Sequence, residues 1–120
     1  AGLGYQIGIW WQDMLVGVAG FHSWEARHKR AALGYWLAER AEGHGIMTEA
    51  VRALVEDAFS NQGMHRLEIR TATANIRSQG VPRRLCFTKE AILAEAEWLR
   101  GEPLDIIVFR LLAPEWREDQ

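Results

Sequence analysis

The chain has 120 residues, of which 48% are hydrophobic and 25% charged, with a formal charge of −2, which is enough for one domain with one core and too little for two. The modest acidity and a pI of about 6.1 argue against a dedicated nucleic-acid binder, which carries a basic face. The single Cys86 closes no internal disulfide, no apolar run approaches the ~18 residues of a membrane span, and the first residues do not read as a signal peptide, so a cytoplasmic protein in a reducing compartment is expected.

Tyr5–Trp11 and Met14–His22 are apolar runs rich in Val, Ile and Trp, parted by Gln12-Asp13, and read as a hairpin. Gly17 and Gly20 weaken the second strand, yet glycine there can mark a bulge or a close backbone approach. The polar stretch Ser23–Lys29 is predicted as a loop. Arg30–Ala38 then forms a third strand, antiparallel to the second. From Ile46 onward, Met47, Ala50, Val51, Leu54, Val55, Ala58 and Phe59 follow helical spacing. That helix should end near Asn61–Gly63, where Asn and Gly accept the left-handed cap conformation.

Met64–Thr73 alternates apolar and polar residues through Leu67 and Ile69, which predicts a strand parallel to the third after a helical crossover. A helix weakened by Gly80 and Pro82 follows, with Ser78 expected to cap it from outside. Cys86 is expected to be a small core residue. Glu90–Leu99 reads as helix on its Ala, Glu and Leu content. Gly101-Glu102-Pro103 marks a turn before a strand at Leu104–Leu112, and the polar tail Pro114–Gln120 is expected to fray. His22, His28, His44 and His65 lack metal-ligand spacing, so no metal is expected. The tryptophans, including Trp10 and Trp11, suit the core or an interface, where one of them would flank an acceptor or a dimer contact.

The stretch between the third strand and the first helix carries the chemistry. A strand, a loop with Gly43 and Gly45, and a helix place bare N–H groups and the positive end of a helix dipole at one point, where an anion settles. Neither glycine has a Cβ to keep a phosphate away. A P-loop is disfavoured because Ile46 and Met47 stand where Lys and Ser or Thr belong. A dinucleotide fingerprint is disfavoured because Thr48 stands where a third glycine belongs.

The remaining pattern, Arg40-x-x-Gly43-x-Gly45, does not stand alone. Together with Tyr35-Trp36-Leu37, Gly45-Ile46-Met47-Thr48, Asn75-Ile76-Arg77-Ser78, Leu85-Cys86-Phe87, Glu90-Ala91, Glu95-Ala96-Glu97-Trp98-Leu99 and Leu111-Leu112-Ala113, it resembles the GNAT superfamily of acyl-CoA N-acyltransferases. Within it the likeness is to the RimJ/RimL-like branch, which acetylates ribosomal-protein N-termini. The resemblance runs from about Ile7 to Trp116. It implies an α/β fold with a mixed, mostly antiparallel twisted sheet flanked by helices. It also implies that Glu90–Leu99 is a strand and not a helix. Family members usually carry a strand and two helices ahead of the Tyr5 strand, so residues 1–120 are expected to form a single domain that is N-terminally incomplete relative to the family.

The resemblance further implies acetyl transfer from acetyl-CoA to an amine by direct attack in a ternary complex. The favoured acceptor is a protein N-terminal α-amine such as that of a ribosomal protein, which titrates near ~8 where lysine titrates near ~10.4 and so needs only a modest base. By the same resemblance the pyrophosphate lies on the backbone amides of Glu42, Gly43, His44, Gly45, Ile46 and Met47, with Arg40 at the start of the loop. Pantetheine runs along the strand containing Trp36 and Leu37. Asn75 and Ser78 meet the donor near its sulfur, with Ser78 passing a proton to the thiolate, although the same two residues equally suit the start of a helix. Arg77, Arg83 and Arg84 suit the CoA phosphates or a solvated surface. Glu97 matches the proposed base, and Glu95, sharing its side of a regular strand, competes.

Cys86 and Ala91 replace common glycines, Pro103 intrudes on the final hairpin, and Phe109 replaces a common tyrosine. Two rival readings keep the donor loop: an enzyme acting on a small-molecule amine, and a non-catalytic acyl-CoA-binding or interaction module. Nucleic acid and membrane are not expected partners, and a homo-oligomer is compatible with the reading.

Overall fold

Gln12 and Asp13 both adopt positive φ, 52° and 63°, the backbone of a two-residue turn whose twist matches its flanking strands. They join β1 (Gln6–Trp11) to β2 (Met14–Glu25) in the structure, a computed structural model that describes residues 4–118. β2 runs beyond its expected end. A register shift between Phe21 and Ser23 takes up His22, and pairing with β3 (Arg30–Leu37) continues to Glu25 opposite Arg30. The loop expected at Ser23–Lys29 is therefore reduced to a 3-10 turn at Ala26–His28 and a left-handed Lys29. The Arg30 guanidinium closes this corner with two hydrogen bonds of 2.9 Å to Glu25.

The remaining elements are α1 (Ile46–Ser60), β4 (Arg66–Ala72), α2 (Ile76–Arg84), β5 (Thr88–Leu99), β6 (Glu102–Leu112) and α3 (Ala113–Glu118). The strands form one sheet in the order β1-β2-β3-β4-β6-β5, and β3–β4 is the parallel pair in an otherwise antiparallel arrangement. That is the mixed sheet the resemblance implied. Glu90–Leu99 is strand, because pairing with β6 outweighs local helix propensity.

One face of the sheet is apolar. Val16, Ala19 and Phe21 on β2, Leu33 on β3, Leu67 and Ile69 on β4, and Phe109 and Leu111 on β6 pack with Val51, Val55, Ala58 and Phe59 of α1 and with Val81 and Leu85 of α2. Each fully buried side chain of this size contributes about 1.5–3 kcal/mol. Among the described residues no helix covers the opposite face. Directly opposed residues share a face, and on this one Val18 lies opposite Trp36, which is 64% exposed. Among the described residues no helix is long and apolar enough to cross a membrane.

Several local expectations are corrected. The β5–β6 turn is Arg100-Gly101, both at positive φ, and Glu102 and Pro103 already belong to β6, opposite Leu99 and Trp98. Pro103 is tolerated because β4 pairs with β6 only from Ile106 onward, so no ladder partner is lost on that side. Ala113–Glu118 is helical and not frayed. Trp116 is buried and its indole N–H donates to Glu56 of α1 at 2.6 Å, while the Glu115 carboxylate accepts from the Leu112 N–H at 2.8 Å. The last two residues of the predicted tail lie outside the described residues.

Cys86 is exposed and not a core residue. Its φ is 65°, the Cys86 N–H donates to Arg83 and the Phe87 N–H donates to Pro82, the paired bonds of a left-handed helix cap. A glycine is the usual occupant of that position, which accounts for the glycine that Cys86 replaces in the family pattern.

Candidate active site

β3 and β4 pair only from Arg30 opposite Arg66 to Leu33 opposite Ile69. Beyond that point they part, with β4 following β6 and β3 following β2. The Ala38 N–H donates to the Val16 carbonyl at 2.6 Å. In an antiparallel ladder alternate residues turn their N–H and C=O to the same neighbour. Trp36 is therefore directed at β2, while the backbone groups of Tyr35 and Leu37 point to the side that β4 has left. These are strand-edge amides without a strand.

A groove of about 1170 Å³ opens at this parting. Its walls are Tyr35, Trp36 and Leu37 on one side and the first turns of α2 on the other, and its end is closed by the loop into α1. In that loop Gly43 and Gly45 have φ of 82° and 71°, and a Cβ built on either meets no atom within 4 Å. The loop thus presents open space beside the N-terminus of α1, where the first N–H groups have no helical acceptor. Three arginines, Arg77, Arg83 and Arg84, face two glutamates, Glu39 and Glu42, along the lining. Arg77 pairs with Glu42, Arg84 donates to the Thr48 hydroxyl at 3.1 Å, and Arg83 lies 5.8 Å from the centre of the Phe109 ring.

Of the expected donor residues, Trp36, Leu37, Glu42, Gly43, Gly45, Ile46, Met47, Asn75 and Ser78 all line this groove. Arg40 and His44 do not. Arg40 lies exposed on a 3-10 turn at Glu39–Ala41, and the His44 ring lies 4.6 Å from the Trp11 ring, tilted by 38°. Asn75, and not Ser78, caps α2. Its side-chain oxygen accepts from the Ser78 N–H at 3.1 Å, and Ser78 sits within the helix. Sequence reasoning gave no role to the hydroxyls of Tyr35 and Thr48. Tyr35 donates to the Ser78 carbonyl at 2.6 Å across the groove. The alternation Ala31, Leu33, Tyr35, Leu37 was the available signal, since it places Tyr35 on the helix-covered face.

Glu97 is elsewhere. It lines a separate cavity of about 400 Å³ with His22, Ser23, Glu25, Arg30, Ala32, Glu68 and Arg70, on the open face of the sheet. Glu25 and Glu68 are engaged there by Arg30 and Arg66. The structure does not bring Glu97 and Ser78 into one cavity. Nor do Glu95 and Glu97 share the side of a regular strand, because the register shifts between Leu93 and Glu97 and Glu95 has a φ of 48°. The Glu95 N–H donates to the Asp105 carboxylate at 2.9 Å. Phe109 is buried in the core. No group of three or more His, Cys, Asp or Glu side chains that could hold a metal ion occurs among the described residues.

Residues 1–88 match the family described as the acetyltransferase (GNAT) domain. YdaF of Bacillus subtilis (strain 168) is 31% identical over 98% of this chain and 64% of its own length. The ribosomal-protein-serine acetyltransferase of Escherichia coli (strain K12) is 33% identical over 84% of this chain and 56% of its own length. The structure of RimL, a ribosomal L7/L12 alpha-N-protein acetyltransferase, in complex with coenzyme A superposes with a TM-score of 0.89 at 30% identity, covering 94% of this chain and 64% of that one. MccE, an acetyltransferase in complex with acetyl-CoA and AMP, gives 0.85 at 28% identity, covering 91% and 61%. The chain therefore spans about three fifths of the length of these relatives. On the family match, these identities and the splayed-strand groove together, the chain belongs to the GNAT acetyltransferase family.

Proposed function

We propose that the groove holds acetyl-CoA and that the protein transfers its acetyl group to an amine by direct attack. The observation that carries this reading is the unpaired backbone edge at Tyr35 and Leu37, set in one groove with the Gly43–Gly45 loop. An amide-bearing pantetheine completes such an edge as a missing strand would, and a pyrophosphate fits the helix N-terminus beyond it. The bound thioester supplies the activated acyl group. The Leu37 N–H, aimed before reaction at the carbonyl oxygen, stabilises the charge that develops there, an arrangement worth about 3 kcal/mol when one such donor is removed. Ser78 passes a proton to the departing sulfur and regains one from solvent, which balances the proton lost by the amine.

The acceptor enters from the open face, because the other face is filled by the helices. We place Glu97 there as the base that takes the amine proton through water. It is on the open face and, unlike Glu25 and Glu68, has no ion-pair partner among the described residues. The relatives named for ribosomal-protein acetylation make a protein N-terminal α-amine the favoured acceptor, and a ribosomal protein the favoured partner in the cytoplasm. The experiment is a transfer assay with acetyl-CoA and two peptides, one with a free N-terminal serine and one N-terminally blocked with an internal lysine. Acetylation of the first alone is expected. Preference for the second, or for free small amines over both, would overturn the acceptor class.

A further inference from the structure

Two adjacent residues of α2 are tied to two different strands. The half-buried Tyr35 hydroxyl of β3 donates to the Ser78 carbonyl at 2.6 Å. Gln79, 3% exposed, sends its side-chain amide the other way, to the carbonyls of Thr73 at 2.9 Å and Ala72 at 3.3 Å, at the end of β4. Between these residues β3 and β4 share no ladder, since their pairing stops at Leu33 opposite Ile69. The first turn of α2 is thus the bridge between the two arms of the parting, and Asn75 pins the start of that turn through the Ser78 N–H.

We infer that Tyr35 and Gln79 are positioning residues that fix the width of the groove and the placement of Ser78 opposite the free Leu37 edge. The consequence for catalysis rests on the donor-groove reading above; the brace itself does not. A strand-to-strand ladder would set this spacing elsewhere in a sheet, but here a ladder would fill the slot that a ligand needs. Side chains reaching from each arm to one helical turn hold the arms apart and leave the slot vacant. Gln79 suits the task because its amide nitrogen carries two donors and meets two carbonyls. Tyr35 suits it because a ring long enough to cross from β3 brings a single donor to a single acceptor.

The test compares the parent with Tyr35→Phe and Gln79→Met by amide hydrogen exchange without ligand, acetyl-CoA titration calorimetry, and acetyl transfer to a peptide beginning with serine. In Tyr35→Phe, exchange at Gln79, Gly80 and Val81 is expected to quicken about fivefold to tenfold, the loss of one net hydrogen bond, while α1 stays as in the parent. The value of kcat should fall about tenfold with KM for acetyl-CoA within about twofold, since the lost contact places a reacting group and does not bind the nucleotide. Gln79→Met should give the same pattern. Unchanged exchange in α2 of a folded Tyr35→Phe protein, or faster exchange with parental kcat and KM, would overturn the inference. A parent that binds no acetyl-CoA would sink the functional reading instead, and the exchange comparison would still decide the brace.

Discussion

A β-carbon on Gly17 would stand 2.5 Å from the carbonyl oxygen of Trp36, closer than packed atoms approach. Gly17 lies opposite Leu37 at the place where β3 has lost β4, so β2 alone holds the free edge in position. Gly17→Ala must push that edge toward the groove. Overpacking of this kind costs about 1–3 kcal/mol, and acetyl-CoA affinity should fall tenfold or more by calorimetry. Parental affinity in a folded variant would contradict this account of Gly17.

Cys86 pays for its left-handed φ of 65°, a conformation about 1–2 kcal/mol unfavourable for a residue with a Cβ. Glycine there also gains disorder in the unfolded chain, which offsets about 0.5–1 kcal/mol. Cys86→Gly is expected to raise stability by about 0.5–1 kcal/mol, a few degrees in Tm. A lower Tm on thermal unfolding would argue against the cap geometry.

The fold was legible where pattern and period agree. The spacing from Met47 to Phe59 gave α1, and alternation through Leu67 and Ile69 gave β4. Three features were not legible, each for a physical reason. The extension of β2 to Glu25 depends on a bulge at His22 and on a partner strand, neither written in local composition. Trp116 makes a helix of the polar tail by burying against α1, a tertiary contact that propensity does not hold. The bulge between Leu93 and Glu97 breaks the alternation on which any pairing of Glu95 with Glu97 relied. For the candidate site, the glycine loop and the Asn75–Ser78 segment were visible in sequence. The separation of Glu97 from the groove was not, because it follows from which face of the sheet each strand turns toward the helices.

Stability should fall at both ends of the pH scale. The Tyr5 hydroxyl, then Asn61, holds Asp57 below the usual carboxylate range; Arg66 does the same for Glu90, Arg110 for Glu115, and the Trp116 indole for Glu56. Lowered folded-state values mean stability that is present above about pH 4.3 and lost as pH falls through them. Burial, and for Tyr5 also the neighbouring Asp57, pushes the Tyr5 and Tyr35 hydroxyls up. Raised values mean stability that is complete below about pH 10 and lost above it. Urea midpoints should therefore be level between about pH 5 and 9 and decline on either side, and Tyr5→Phe should shrink the alkaline decline. A midpoint that rises above pH 10 would show the sign to be wrong.

Glu97→Gln removes a proton acceptor without changing shape. If Glu97 serves as the base, kcat for a serine-starting peptide falls about 100-fold or more, and acetyl-CoA affinity is unchanged because Glu97 does not line the donor groove. Parental kcat in the variant would remove Glu97 from the mechanism and leave water as the proton acceptor.

A donor site at the parting of β3 and β4 is probed by thermal unfolding with acetyl-CoA in the parent and in Gly45→Asp. The aspartate tolerates the left-handed backbone better than most residues and caps helices well, but sets a carboxylate where the pyrophosphate would lie. At 100 times its dissociation constant a ligand adds about 2.7 kcal/mol, a rise on the order of 10 °C for a domain of this size. That rise is expected in the parent and is expected to be lost in a folded Gly45→Asp protein. No rise in the parent, or an equal rise in both, would contradict it.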